Sequence, residues 1–262
     1  MKFASTMALT AALLTAVPAR AEVVTRTEHF KQDNQDLQWF IAYDDTAKAK
    51  RPGVLVVHEW WGHNKHAENQ AVRLAKAGYV ALALDMYGEG KLATHPKDAA
   101  AFMGVVMKDQ KLMATRFEAA LEALKKDPHV DPAKIAAIGY CFGGTVALTM
   151  ARAGKDLAAV GTFHAGLKPA GPPASKGSVK ARILVQTGGA DPNIPKEQIE
   201  AFEKEMKDAD ARCEVVVYPE ARHSFTNPDA DKAGMEALKY DADVDAKSFA
   251  KLLAFFGEVF GK

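Results

Sequence analysis

The stretch that decides the fold is Lys134-Ile135-Ala136-Ala137-Ile138-Gly139-Tyr140-Cys141-Phe142-Gly143-Gly144-Thr145. Residues 134–139 are a short apolar run, as in a strand buried on both faces. Residues 145–152 then read as a helix, reached through a tight glycine-rich turn. A strand turning at once into a helix through G-x-C-x-G-G projects its middle residue beyond the sheet edge. The glycines remove side chains that would strike the neighbouring strand and helix. The positive end of the helix dipole favours thiolate over thiol at that place, so Cys141 is the candidate nucleophile. A lone cysteine is more often a small buried hydrophobe. The strand–turn–helix setting, and the partners below, favour the nucleophile.

The flanking sequence alternates in the same way. Upstream, residues 23–45 read as a strand pair, 53–58 as a buried strand, 67–77 as a helix stopped by Gly78, and 79–84 as a second buried strand. Residues 97–126 read as one long amphipathic helix region ended by Asp127-Pro128, with Phe102, Val106, Met113, Phe117, Leu121 and Leu124 on one stripe. Downstream come strands at 157–163, 182–187 and 214–218, a surface loop at 168–180 and a helix at 196–208. A closing helix at 243–260 turns Phe249, Leu252, Leu253, Phe256 and Val259 inward. This order predicts one α/β domain over residues 22–262, a doubly wound, mostly parallel sheet with helices on both faces. Ligands of such sheets bind outside the carboxyl ends of the strands. Chemistry is therefore expected just after His58, Leu84, Gly139, Phe163, Thr187 and Tyr218.

Two further groups stand at those ends in the order nucleophile, acid, base. Residues 182–187 run into Gly188-Gly189-Ala190-Asp191-Pro192, which makes Asp191 the candidate acid. Residues 214–218 run into Pro219-Glu220-Ala221-Arg222-His223-Ser224-Phe225, which makes His223 the candidate base. His223 would take the thiol proton and later protonate a leaving group, while Asp191 fixes its tautomer. An oxyanion hole should combine the Phe142 amide with one from the loop His58-Glu59-Trp60-Trp61-Gly62. Glu59, desolvated beside two tryptophans, is a candidate proton partner for the thiol.

The composition is ordinary for a globular protein: 262 residues, 48% apolar, 26% charged, net charge +1. With 34 basic against 33 acidic residues there is no electrostatic case for nucleic acid. No apolar run is long enough to span a bilayer. Lys2, the Ala- and Leu-rich residues 3–17 and Ala19-Arg20-Ala21 form a secretory signal with cleavage expected after Ala21, placing the mature chain in the periplasm or outside the cell. Cys141 and Cys213 fall at opposite ends of their strands, too far apart for a disulfide. His58, His63 and His66 lack the spacing of H-E-x-x-H, so no metal is expected, and Met103, Met107 and Met113 read as core packing. No cofactor is expected, and a monomer is the expected state.

Taken together, the sequence resembles the dienelactone hydrolases, a branch of the α/β-hydrolase fold. The likeness rests on His58-Glu59-Trp60-Trp61-Gly62, Gly139-Tyr140-Cys141-Phe142-Gly143-Gly144, Gly189-Ala190-Asp191 with Pro195, and His223-Ser224-Phe225. It implies hydrolysis of an ester, lactone or thioester by a Cys141–His223–Asp191 triad. It also implies that Glu59 helps to activate Cys141 and that the Trp60 and Phe142 amides hold the oxyanion. Two departures stand out. The founding enzymes grip a substrate carboxylate with arginines where this chain has Glu89 and Asn227. Neutral small-molecule substrates therefore fit better, with Trp60, Trp61, Tyr87, His164 and Phe225 expected to line the pocket. The contrasting reading is a non-catalytic ligand-binding protein on a hydrolase scaffold.

Overall fold

Eight strands form one sheet in the order β1-β2-β4-β3-β5-β6-β7-β8, numbered along the chain. The computed structural model describes residues 22–32, 34–88 and 90–261. The expected export signal, residues 1–21, and Glu89 lie outside the described residues. β1 (Val23–Gln32) and β2 (Gln35–Asp44) are an antiparallel hairpin, and β2 runs antiparallel to β4 (Val80–Leu84). From β4 onward every neighbouring pair is parallel: β3 (Arg51–Val57), β5 (Val130–Tyr140), β6 (Ala159–Phe163), β7 (Arg182–Gly188) and β8 (Cys213–Tyr218). β3, β4 and β6 are buried along their whole length and mostly apolar, as strands covered on both faces are.

One face is covered by α1 (Lys65–Lys76) and α6 (Ala242–Phe260), which meet Val54, Val56, Ala136, Ile138 and Leu184. The other is covered by α3 (Gln110–Lys126), α4 (Phe142–Arg152) and α5 (Lys196–Asp208). Every residue of α4 is buried. Its few polar side chains, Thr145, Thr149 and Arg152, donate to groups within the protein rather than to water, so it sits in the middle of that face.

Two expectations need correction. The stretch 97–126 is two helices, α2 (Pro96–Lys108) and α3, broken at Asp109. Asp109 adopts an extended conformation, and its side chain caps α3 by accepting from the Leu112 amide at 2.9 Å. In α6 Leu252 and Phe256 are buried as expected, joined by Ser248, Phe255 and Phe260, while Phe249, Leu253 and Val259 pack only partly buried at the edge of the core. Phe249 lies instead under the Arg73 guanidinium, 4.1 Å from its ring centre.

Candidate active site

Three strands deliver the expected trio to one edge of the sheet. Cys141 follows β5 at φ +52°, ψ −118°, a conformation that costs energy for a residue with a side chain. It is held there from both sides. Its amide donates to the Phe163 carbonyl at 3.0 Å, and its carbonyl accepts from Gly144 at 3.1 Å and Thr145 at 3.3 Å. The glycines are a packing requirement. A Cβ on Gly139 would lie 2.2 Å from the Gly143 carbonyl oxygen, and one on Gly143 would lie 2.3 Å from that of Val57. The start of α4 thus packs backbone to backbone against β3 and β5, with its positive end at the thiol.

His223, on the loop after β8, is buried at 6% exposure. Its Nδ1 donates to Asp191 Oδ2 at 2.7 Å. Asp191, on the loop after β7, accepts the Asn193 amide with its other oxygen at 2.8 Å. The His223 ring lines the same cavity as Cys141, whose side chain favours the protonated ring. Burial alone would strip the His223 proton early. Interactions with Cys141 and with the Asp191 carboxylate outweigh that and hold its pKa well above the ordinary value.

The amides of Trp60 and Phe142 meet no acceptor among the described residues. Phe142 opens α4, where an N–H has no intrahelical partner. Both residues line the same cavity of about 290 Å³ as Cys141 and His223. Its apolar walls are Trp60, Met103, Phe142, Ile194, Met235 and Leu238, and Thr145 and Asn193 add polar atoms. No Lys, Arg, Asp or Glu is among its described lining residues.

The loop after β3 is fixed by His58, whose Nδ1 lies 2.5 Å from the Glu59 carbonyl and whose Nε2 accepts from the Met86 amide at 3.1 Å. Burial lowers its pKa to about 4, so the ring stays neutral. His63 is hydrogen-bonded to Gln38 and His66 packs edge-on to Tyr140, and no group of metal-ligating side chains forms among the described residues. Glu59 is 1% exposed. Its two oxygens accept from Ser224 Oγ at 2.9 Å and Asn227 Nδ2 at 2.5 Å, both on the His223 loop. No hydrogen bond joins Glu59 to Cys141 among the described residues.

Of the expected pocket-lining residues, Trp60 faces the cavity. Trp61 lines a separate groove with His63 and Asn227. Tyr87 is buried behind Phe142 and donates its hydroxyl to the Trp60 carbonyl at 3.0 Å. His164 and Phe225 have no exposure at all, and the His164 ring meets the His223 ring edge-on at 5.1 Å. These three stand behind the site and support it, because aromatic rings at these strand ends turn into the core. Conversely, Met103 reaches the cavity, although its spacing reads as core packing. Met235 and Leu238 come from an irregular loop that carries no periodic signal. Arg222 points away, donating to the Glu236 carbonyl at 2.8 Å. Both cysteines are free, and burial pushes the Cys213 thiol up to about 12.

Comparison with known proteins gives this geometry its setting. The profile of the dienelactone hydrolase family matches residues 39–260. A putative carboxymethylenebutenolidase of Methylorubrum extorquens is 33% identical over 185 residues, 66% of this chain and 63% of that protein. One from Yersinia pestis is 30% identical over 200 residues, 72% of this chain and 74% of its own. Among solved structures, a dienelactone hydrolase-like promiscuous phosphotriesterase, P91 from metagenomic libraries, superposes with a TM-score of 0.86 at 34% identity. That match covers 90% of this chain and 98% of the other.

Proposed function

The chain belongs to the dienelactone hydrolase family and is a hydrolase of ester bonds, and we propose that it cleaves small uncharged esters, lactones or thioesters through a Cys141–His223–Asp191 triad. The observation that carries this reading is the arrangement itself: a thiol on a strained elbow that shares one cavity with an imidazole, which is in turn bonded to a buried carboxylate at 2.7 Å.

The chemistry follows from that relay. His223 takes the thiol proton, and Sγ attacks the acyl carbon. The carbonyl oxygen becomes an oxyanion and is met by the Trp60 and Phe142 amides. Collapse breaks the bond to the leaving group, which departs with the proton from His223. Water then gives a proton to His223 and attacks the thioester, and the acid leaves as the thiol is restored. A cavity of about 290 Å³ with apolar walls suits a short acyl group. A substrate carboxylate would be desolvated there, and no Lys or Arg is among the described lining residues to receive it.

The same thiol and amides suit a phosphoryl centre, in keeping with the activity named for the metagenomic relative. Export is part of the same reading, supported by Lys2, the apolar residues 3–17 and Ala19-Arg20-Ala21. A mature N-terminus at Glu22 in the exported fraction is the expected result.

The decisive assay is hydrolysis of p-nitrophenyl butyrate by the parent and by Cys141→Ala, with p-nitrophenyl hemisuccinate and paraoxon alongside. The parent should turn over the neutral ester at least about tenfold better than the hemisuccinate, and the variant should lose activity. Equal rates for parent and variant would overturn the cysteine mechanism and favour a binding role.

A further inference from the structure

Beyond Cys141 and His223, the cavity wall has few polar side chains, and they are not equivalent. Thr145 Oγ1 donates to the Gly166 carbonyl at 2.9 Å, so its proton is already engaged. Trp60 carries an indole N–H, which is a donor alone. Asn193 brings a carboxamide with both a donor and an acceptor, and neither is hydrogen-bonded within the protein among the described residues. Asn193 is exposed and yet lines the cavity, so it stands at the mouth.

The segment that carries it is stiff. Pro192 precedes Asn193 and Pro195 follows two residues on; each fixes its own φ and narrows the choices of the residue before it. The Asn193 amide donates to Asp191 Oδ1 at 2.8 Å, and the Ile194 amide donates to the Asp191 carbonyl at 3.2 Å. From the other side, the Asn193 carbonyl accepts from Gln198 Nε2 at 3.5 Å, while Gln198 Oε1 accepts from the Leu167 amide at 2.8 Å. The backbone of Asn193 is thus tied to the carboxylate that holds His223, and only its side chain is left over. A polar group fixed relative to the reacting centre, with its own hydrogen bonds unmade, is suited to receive part of a substrate.

We propose that Asn193 is a specificity-determining residue that selects uncharged esters carrying a second oxygen (an ether, a hydroxyl or a further carbonyl) over plain alkyl esters of the same size. This rests on the cavity being the site of ester hydrolysis, as proposed above. The carboxamide donates to an ether or carbonyl oxygen and accepts from a hydroxyl. Toward a methylene it does neither. A bound substrate covers the mouth, so an amide left facing a methylene gives up water and gains no partner.

The test sets the parent against Asn193→Leu, which keeps the shape of the side chain and removes its polar atoms, using the full chain and two isosteric substrate pairs. In the acyl pair, p-nitrophenyl 3-methoxypropanoate is compared with p-nitrophenyl pentanoate. In the alcohol pair, 2-methoxyethyl butyrate is compared with n-butyl butyrate, followed by pH-stat. In each pair an ether oxygen replaces one methylene. The readout is the ratio of kcat/KM, ether over alkyl, and comparing that ratio between parent and variant cancels the intrinsic reactivity of the esters. Loss of one hydrogen bond between uncharged groups predicts a fall in the ratio of about 3- to 10-fold in Asn193→Leu for at least one pair. A smaller fall in both pairs overturns the proposal. A merely structural role would slow all of the substrates together and leave both ratios in place. Asn193→Ala repeats the comparison should Asn193→Leu not fold. Cys141→Ala, run alongside, separates the two readings: retained activity there sinks the cysteine mechanism, whereas lost activity there with both ratios unchanged sinks the role of Asn193 alone.

Discussion

Replacing Gly143 by alanine tests the packing on which the elbow depends. The new methyl would lie 2.3 Å from the Val57 carbonyl oxygen and 2.6 Å from that of His58. Cβ atoms essentially never come closer than 3.0 Å to a neighbour, so the gap between α4 and β3 must open by most of an ångström. Both obstacles are backbone atoms at the buried end of β3 and the residue after it, and no side chain can rotate to relieve the contact. Overpacking of this kind costs about 1–3 kcal/mol. For a domain of this size, each kcal/mol lowers Tm by about 2–4 °C, so a fall of roughly 2–12 °C is expected by calorimetry. Activity should suffer more than stability. The Phe142 amide and Cys141 ride on the first turn of α4, whereas the Trp60 amide rides on the loop after β3. Parting these elements separates the two proposed oxyanion donors, with an expected loss in kcat of about 10- to 100-fold and little change in KM. Gly104 provides the contrast. It lies inside α2 with nothing within 4 Å of an added Cβ. Gly104→Ala should gain about 0.5–1 kcal/mol in helix stability and raise Tm by about 1–4 °C, with activity unchanged. A Gly143→Ala protein with parental Tm and kcat would refute the close approach of α4 to β3.

Asp191→Asn leaves the shape of the site but lets the imidazole take the wrong tautomer, and kcat for p-nitrophenyl butyrate should fall by about 10³- to 10⁴-fold. His223 has a raised pKa when folded, so its protonated form contributes stability that is complete below about pH 6.5 and is lost as pH rises through the folded value. The Tm gap between the parent and His223→Gln should therefore be widest near pH 6 and narrow in alkali; a gap that widens with pH would contradict the assignment. Brief iodoacetamide treatment near pH 7.5 should place a single carbamidomethyl group on the chain, at Cys141, because the Cys213 thiol is pushed up to about 12. Peptide mass spectrometry showing equal labelling of both cysteines would count against it.

The elements were legible wherever a buried strand or an amphipathic helix left its period in the sequence. The break between α2 and α3 was not, for a geometric reason. Val106 and Met113 are seven residues apart, so the apolar stripe stays in phase across Asp109, and no Gly or Pro marks the interruption. The placement of Cys141, Asp191 and His223 was legible because each follows a strand at the carboxyl edge. The cavity walls were harder to read. Tyr87, His164 and Phe225 stand just beyond strand ends in sequence, but their rings fill the space beneath the site, a direction that sequence position does not encode. Met235 and Leu238 arrive from an irregular loop that is brought over the site where His223 pairs with Leu238.

The interruption at Asp109 also separates two tasks. Only Ala99 and Val106 of α2 are buried, and Val105 beside them is 60% exposed, yet the same short helix lends Met103 to the cavity wall. Met103 thus lines the cavity while it packs, only partly buried, at the edge of the core on this side of the molecule. Exchanges at position 103 and its exposed neighbours can retune which acyl chains are accepted while the sheet beneath is left undisturbed. This makes α2 a natural place for relatives to diverge in diet and for directed evolution to begin.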